Sequence, residues 1–531
     1  MRFPQPVHLS HDAHLDAAGT PGPRRREAWS PAALIGALCT LHVVLWTLLP
    51  AVLYPALPRD ALEGVAWGRM WQLGYDKHPF LAPWLSAAFT GAFGVVGWPI
   101  YLAAQLCVAL ALWAVWRLAR DLLDARRALV AVLLLEGIGY YNFSSFSLSS
   151  FVFNPNVAML PTWALLSLTF YRALLRPDLP RWCHAGLWAG LALLAKYESA
   201  ILLLVLAGVL LATRAGRRSL ATPAFYAGVL VAVGVLSPNL AWLVRHDFIT
   251  VDYALGRLDA AALAAEPQPH VHHALYQPLL FLKNQLGYLL PALGLFLLLP
   301  RRHGRFDARR LGHVYVLALA AGPTLLTLLF ALGTGGHLVT SWGFPFHSLL
   351  GVALVLFFVP ELSERQLRRF AAAVAGWCLV VALVCASKYH EHPWTQATFP
   401  YRPLAERLTQ DWRHAYGRPL RVVAGDRWSV AGVVDYARDK PVPYFGWDPK
   451  ANPWLDESAM CRTGAVFLHE RHDDADDEAL LQGLRARFPA LTDERVISVP
   501  RNGDAAEAPA VFWVAHLPPA GAGGACAPRL P

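Results

Sequence analysis

Charge is scarce in this sequence: Asp, Glu, Lys and Arg make up only 16% of its 531 residues. A water-facing globular chain carries roughly 25%. Soluble, disordered and fibrous readings are therefore excluded, and a hydrophobic share of 56% points to repeated membrane crossing. Cysteine is sparse as well, at seven residues, and no Cys-x-x-Cys or Cys/His cluster is present, which argues against a structural zinc site. No glycine-rich phosphate loop of the Walker or dinucleotide-binding type occurs. The polar stretch from Met1 to Glu27 holds no apolar core of a cleavable signal. Acid is scarcer than base, 37 residues against 46, for a net charge of +9. In a soluble protein that excess would suggest nucleic acid. Here arginines between apolar runs account for it, so no nucleic-acid partner is expected.

What is present is a ladder of apolar runs, near 31–57, 99–116, 128–143, 157–175, 185–197, 199–213, 222–244, 276–299, 312–332, 343–360 and 370–387. This pattern predicts an α-helical polytopic membrane protein with about eleven transmembrane helices plus interfacial helices. Arg24 to Arg26 precede the first run, and further arginines fall at 117–127, 172–181, 214–218, 301–310 and 365–369. All lie on the cytoplasmic side if the stretch near 80–97 stays at the interface. The chain then divides into a cytoplasmic tail (1–28), a transmembrane part (29–387) and a C-terminal region (388–531) on the outside. That last region alternates β-like runs at 420–425, 465–469 and 511–515 with a helix-like run near 480–488, and predicts a small α/β domain.

This topology gathers the polar chemistry on one face. The first outside loop holds Asp60 and Glu63, three apart and on one face if helical, then Gly74-Tyr75-Asp76-Lys77-His78-Pro79. Carboxylates beside a Lys-His pair suit a base facing an anionic ligand, although on spacing alone an ordinary solvated loop fits better. Trp67, Trp71 and Trp84 read as interfacial anchors. His270 and His272, near Glu266, are where a divalent metal is conceivable, against the alternative of a solvated loop. Cys461 and Cys526 fall beyond the last run and, outside the cell membrane, are expected to pair as a disulfide.

Asp60, then Gly74-Tyr75, then Lys77-His78-Pro79 resembles the opening motif of glycosyltransferase family 39. This group of the GT-C superfamily includes protein O-mannosyltransferases and the transferases that place aminoarabinose or galacturonic acid on lipid A or its core. Gly190-Leu191-Ala192 to Lys196-Tyr197, Ser237-Pro238-Asn239 to Trp242 with His246-Asp247-Phe248, and Trp342-Gly343-Phe344-Pro345 are similar to further family stretches. The sequence departs from the family pattern at Ala61, Lys77, Phe80 and Asn156, where acids or a proline are usual.

The resemblance implies a GT-C fold with its active site on the periplasmic face of a bacterial inner membrane. It implies a polyprenyl-phosphate sugar donor and an envelope acceptor: lipid A, another lipid or polysaccharide, or a protein. Asp60 would be the general base of an inverting transfer, with Glu63 as a second catalytic acid. Lys77, His78 and Lys196 would hold the lipid phosphate. Tyr75, Asn156, Tyr197 and His246 would line the substrate site. No cofactor is certain, and divalent metal dependence stays open. A lipid-sugar flippase or other transporter is the alternative, although neither repeated halves nor mid-membrane charges stand out.

Overall fold

The computed structural model describes residues 30–142, 152–263, 270–302, 304–391, 399–471, 475–501 and 509–520. Fifteen helices precede residue 392 among these: α1 (Pro31–Leu53), α2 (Arg59–Gly68), α3 (Leu81–Phe93), α4 (Trp98–Arg120), α5 (Ala125–Leu133), α6 (Pro155–Leu175), α7 (Leu179–Ala195), α8 (Ala200–Ala212), α9 (Arg214–Leu220), α10 (Pro223–Arg245), α11 (Ile249–Leu263), α12 (His270–Leu297), α13 (Leu311–Thr334), α14 (Leu350–Phe358) and α15 (Glu364–Glu391).

Each of the expected apolar runs contains a helix, but the lengths differ. Seven helices among the described residues are long and apolar enough to cross a membrane: α1, α4, α6, α10, α12, α13 and α15. The number becomes eight if the segment Tyr197–Ala212 and α9, bent by 99°, form one span. A crossing takes about 20 residues at 1.5 Å each. The 9-residue α5, 17-residue α7 and 9-residue α14 fall short of that. The stretch near 80–97 is α3, of 13 residues, ended by Gly94 in the left-handed conformation. Leucines at 230, 290, 329 and 383 stay exposed along the long helices, as lipid-facing positions do.

Helix starts follow their sequences. Asn154 accepts hydrogen bonds from the backbone N–H of Asn156 (2.9 Å) and Val157 (3.2 Å), with Pro155 at the first helical position of α6. Helices α7 and α10 touch backbone to backbone at Gly186 and Gly228. A Cβ on Gly186 would lie 1.9 Å from the Gly228 carbonyl oxygen, so only glycine permits this crossing.

The C-terminal region holds α16 (Tyr401–Tyr416), α17 (Arg427–Tyr436), α18 (Glu457–Thr463) and α19 (Ala475–Arg487) around a five-stranded sheet. Its strands are β1 (Val422–Gly425), β2 (Val442–Phe445), β3 (Ala465–Glu470), β4 (Thr492–Val499) and β5 (Ala510–Leu517), in the order β2-β1-β3-β5-β4. β1 pairs in parallel with β2 and β3, while β5 runs antiparallel to β3 and β4. The three expected strands and the helix are present. β2 and β4 escaped notice because neither alternates cleanly between apolar and polar residues. One face of the sheet buries Met460, Leu481, Leu484 and Phe488. The other, with Leu404, Val430 and Phe512, belongs to the same buried cluster as Leu62, Val65 and Leu112 of the helical part. The two parts therefore share a core. Cys461 forms a disulfide, and Cys526 lies outside the described residues.

Candidate active site

The segment from Pro58 to Pro79 folds back on itself to make the site. α2 carries Arg59, Asp60 and Glu63, with the Asp60 carboxylate in the first turn, where it suits the helix N-terminus. The chain then returns through a short bridge between Gly74 and Pro79, closed by the Tyr75 N–H donating to the His78 carbonyl at 3.0 Å. Gly74 is required at this point, since a Cβ there would come within 2.3 Å of the Trp242 ring.

Two carboxylates and two cations meet inside this fold. Lys77 Nζ donates to Glu63 Oε1 at 2.8 Å, and Arg427 Nη1 donates to the same oxygen, also at 2.8 Å. Arg427 reaches on to Asp76, Nη2 to Oδ2 at 2.5 Å and Nη1 to Oδ1 at 3.3 Å. Lys77 Nζ lies 4.7 Å from the Trp428 ring centre and 5.9 Å from that of Trp67. Trp67 is thus the floor of the site, buried at 1% exposure. The expected interfacial anchor is an internal platform. Trp71, at 56% exposure, does face outward.

Asp60 differs from its neighbours. It makes no hydrogen bond or ion pair with a described residue. It stays partly open to solvent. Burial pushes its carboxyl up to about 6 and the Glu63 charge adds to this, while Lys77, Lys196 and Arg59 pull the other way. His78 moves oppositely. Burial, then the nearby charges of Lys196, Lys77 and Arg427, hold its imidazole well below the ordinary value. The neutral form of the ring is thereby favoured.

A second strand of polar contacts enters from the α7–α8 junction. Lys196 Nζ donates to Asn156 Oδ1 at 2.8 Å and Glu198 Oε2 at 2.6 Å. The Tyr197 hydroxyl donates to Asn239 Oδ1 at 2.5 Å, and Asn239 Nδ2 donates to the Leu73 carbonyl at 2.7 Å. Asn156 and Lys196 are thus bonded to each other, and Tyr197 reaches the Asp60 loop through Asn239.

Three of the expected site residues are engaged by neighbouring protein groups. Glu63, expected to share catalysis, is held by two cations, Lys77 and Arg427. Tyr75, expected to bind substrate, is fully buried; its hydroxyl donates to the Trp67 carbonyl (2.9 Å) and accepts from the Gln72 N–H (3.3 Å), so it braces the loop. His246 is bound within its own helix region, with Nδ1 2.8 Å from the Trp242 carbonyl and its ring stacked 4.1 Å from that indole. The side chains of His270 and His272 lie outside the described residues. Among the described residues no group of three or more His, Cys, Asp or Glu is arranged around a metal position. Asp76, Glu198, Asn239 and Arg427 were missed. The first two had a visible signal, as lone acids next to the lysines already singled out. Arg427 had none.

Fold and cluster together define a class: a multi-pass helical membrane protein whose loop-borne acids and cations sit beneath an α/β region. The likeness can be narrowed. Residues 77–242 match the family described as Dolichyl-phosphate-mannose-protein mannosyltransferase, so over that stretch the resemblance to family 39 of the membrane glycosyltransferases is borne out. The crystal structure of ArnT from Cupriavidus metallidurans bound to undecaprenyl phosphate superposes with a TM-score of 0.60 at 14% identity, covering 91% of this chain and 97% of that one. Its apo form gives 0.60 at 14% identity, over 92% and 97%. At such identity the match shows a shared fold. The oligosaccharyltransferase AglB from Archaeoglobus fulgidus, with an inhibitory peptide and a dolichol-phosphate, reaches a TM-score of only 0.41 at 11% identity over 82% and 69%, too low to carry an argument. No protein of curated function matches the chain.

Proposed function

We propose that this chain is an integral membrane glycosyltransferase that moves a sugar from a polyprenyl-phosphate donor to a hydroxyl of an envelope acceptor. The carrying observation is Asp60: a reachable, unpaired carboxylate whose pKa of about 6 suits a base working near neutral pH, set among cations. In this reading Asp60 takes the acceptor's hydroxyl proton as that oxygen attacks the anomeric carbon, inverting it. The bond from that carbon to the phosphate oxygen breaks, and the polyprenyl phosphate leaves with the electron pair. Lys77 and Lys196 would meet the developing charge and His78 would donate a hydrogen bond to it.

The reading includes the finer topology: a cytoplasmic N-terminus, and the 388–531 region on the periplasmic side of a bacterial inner membrane. The arginine-rich segments between helices support it. So does the donor class, since nucleotide sugars are not supplied outside the cytoplasm. Lipid A or another lipid or polysaccharide is ranked ahead of protein as acceptor. Membranes holding the chain, given polyprenyl-phosphate sugars, should yield a new glycoside on a lipid or protein acceptor. Movement of the lipid-sugar across the membrane with no glycoside formed would overturn the reading in favour of a flippase.

A further inference from the structure

The C-terminal region is fastened to α2 at both ends of α17. At the far end, the Leu57 N–H donates to the Tyr436 hydroxyl at 2.9 Å, and Arg69 donates to the carbonyls of Val434 (2.8 Å) and Lys440 (2.7 Å). At the near end, Asp426 caps α17 through the Ser429 N–H (3.0 Å), and its other oxygen accepts from the Glu470 N–H (3.3 Å), which fixes the helix start to β3. The next residue is Arg427. Its guanidinium lies 5.5 Å from the ring centres of both Trp67 and Phe445, one from each part of the molecule. It can make its fork with Glu63 and Asp76 only while α17 stays docked.

We propose that Arg427 is a positioning residue supplied by the C-terminal region: by holding Glu63 and Asp76 in one ion-paired unit, it leaves Asp60 as the single unpaired carboxylate of the site and sets the charge around it. Lys77 and Arg427 pair with Glu63 and Asp76, and Asp60 is the carboxylate left outside those pairs. The groups facing Asp60 are Arg59 and Glu63 from its own helix, Lys77 from the returning loop, and Lys196, itself paired with Glu198, from the α7–α8 junction. Asp76 and His78 flank Lys77 on the returning loop. Removing the guanidinium leaves Glu63 and Asp76 with Lys77 alone, one negative charge uncompensated, and Asp60 then keeps its proton to higher pH.

This inference rests on the transferase reading, and the test separates the two. The full chain with Arg427→Gln, Arg427→Lys and the double change Glu63→Gln with Arg427→Gln is assayed for transfer across pH. Arg427→Gln should lower kcat about tenfold or more with a smaller change in donor KM, and should move the acid limb of the profile up by about half a pH unit or more. Arg427→Lys should restore the limb but not the full rate, since an ammonium has no planar fork. The double change, which removes one charge of each sign, should return the limb towards the wild-type position. A merely structural arginine would not produce that return. An unchanged limb in folded Arg427→Gln protein, or a limb in the double variant no different from the single one, overturns the proposal. If the wild-type chain transfers nothing, the transferase reading has failed. The positioning claim is then decided by infrared titration of the Asp60 carboxyl, assigned with Asp60→Asn, which must still shift upward in Arg427→Gln.

Discussion

The two polar edges of the molecule use the same ion pairs to different ends. At the arginine-rich edge, pairs such as Arg172–Asp121, Arg310–Asp307 and Arg368–Glu364 stand in the open, with Arg310 at 72% side-chain exposure. In the candidate site the partners are enclosed, Glu63 at 5% and Asp76 at 7%. Exposed pairs contribute from nothing to about 1 kcal/mol. Enclosed ones are costly to assemble and costlier to break, because a lone charge is left behind. A count of salt bridges would rank the two edges alike. Burial separates them, and within the enclosed set the informative group is the one without a partner, Asp60.

The sharpest way to break this comparison is Asp60→Asn. With no hydrogen bond to lose and a poorly solvated charge removed, the variant should melt no earlier than wild type. Its transfer rate should fall by about 10²–10⁴, the range for a general base. Near wild-type transfer in folded protein would sink the assignment. The wild-type profile gives the matching sign: Asp60 must be ionised to act, so kcat/KM should drop below about pH 6 and hold above it. A flat profile from pH 5 to 8 would count against it equally.

Lys196→Met tests the enclosed set next. Glu198 would be left buried without its ammonium, and a loss of about 3–5 kcal/mol is expected for breaking such a pair, together with weaker donor binding. Thermal unfolding in detergent and donor titration measure the two separately. Stability within about 1 kcal/mol of wild type would place this pair with the exposed ones.

How far these features could be read in advance follows from distance along the chain. The apolar runs are local, and every one became a helix, although α5, α7 and α14 are shorter than a crossing because helix length depends on packing as well as hydropathy. The Asp60–His78 loop is also local, so its acids and cations were legible by spacing. Lys196 and Asn156, 40 residues apart, were reached through the family resemblance. Arg427 is 364 residues from Glu63, and nothing in its neighbourhood, Gly425-Asp426-Arg427-Trp428, announces a ligand. Only the docking of α17 on α2 brings it in. Tyr75 is the converse case: a tyrosine in a motif invites a substrate role, and only the fold shows its hydroxyl buried and bonded to Trp67 and Gln72.

Asp435 sharpens the comparison at the junction itself. It is fully buried, 3.7 Å from Arg69, and neither carboxylate oxygen has a hydrogen-bond partner among the described residues. Burial pushes its pKa to about 8, against the pull of Arg69 and Lys440. The folded state thus holds this proton more tightly than the unfolded chain does, so stability falls as pH rises from about 4 to about 8 and is level above that. Asp435→Asn cannot titrate and should flatten this slope. Melting curves at several pH values decide it; an unchanged slope would mean that the carboxyl does not carry the proton.

The smallest effect belongs to the open edge. Arg368 and Glu364 are four apart at the start of α15, with 66% and 52% of their side chains exposed. Arg368→Ala removes one helix-surface pair, worth about 0.3–0.5 kcal/mol and screened by salt. Arginine and alanine are both good helix formers, so little else changes at this position. Glu364→Ala should cost slightly more, because its carboxylate also lies in the first turn, where it faces the positive end of the helix dipole. Both losses should shrink between low and high salt, since exposed charges are screened beyond about 10 Å at 0.1 M, whereas the cost of Lys196→Met, buried at the site, should persist. A salt-insensitive loss above about 1 kcal/mol at Arg368 would show that exposure is the wrong criterion for sorting these pairs.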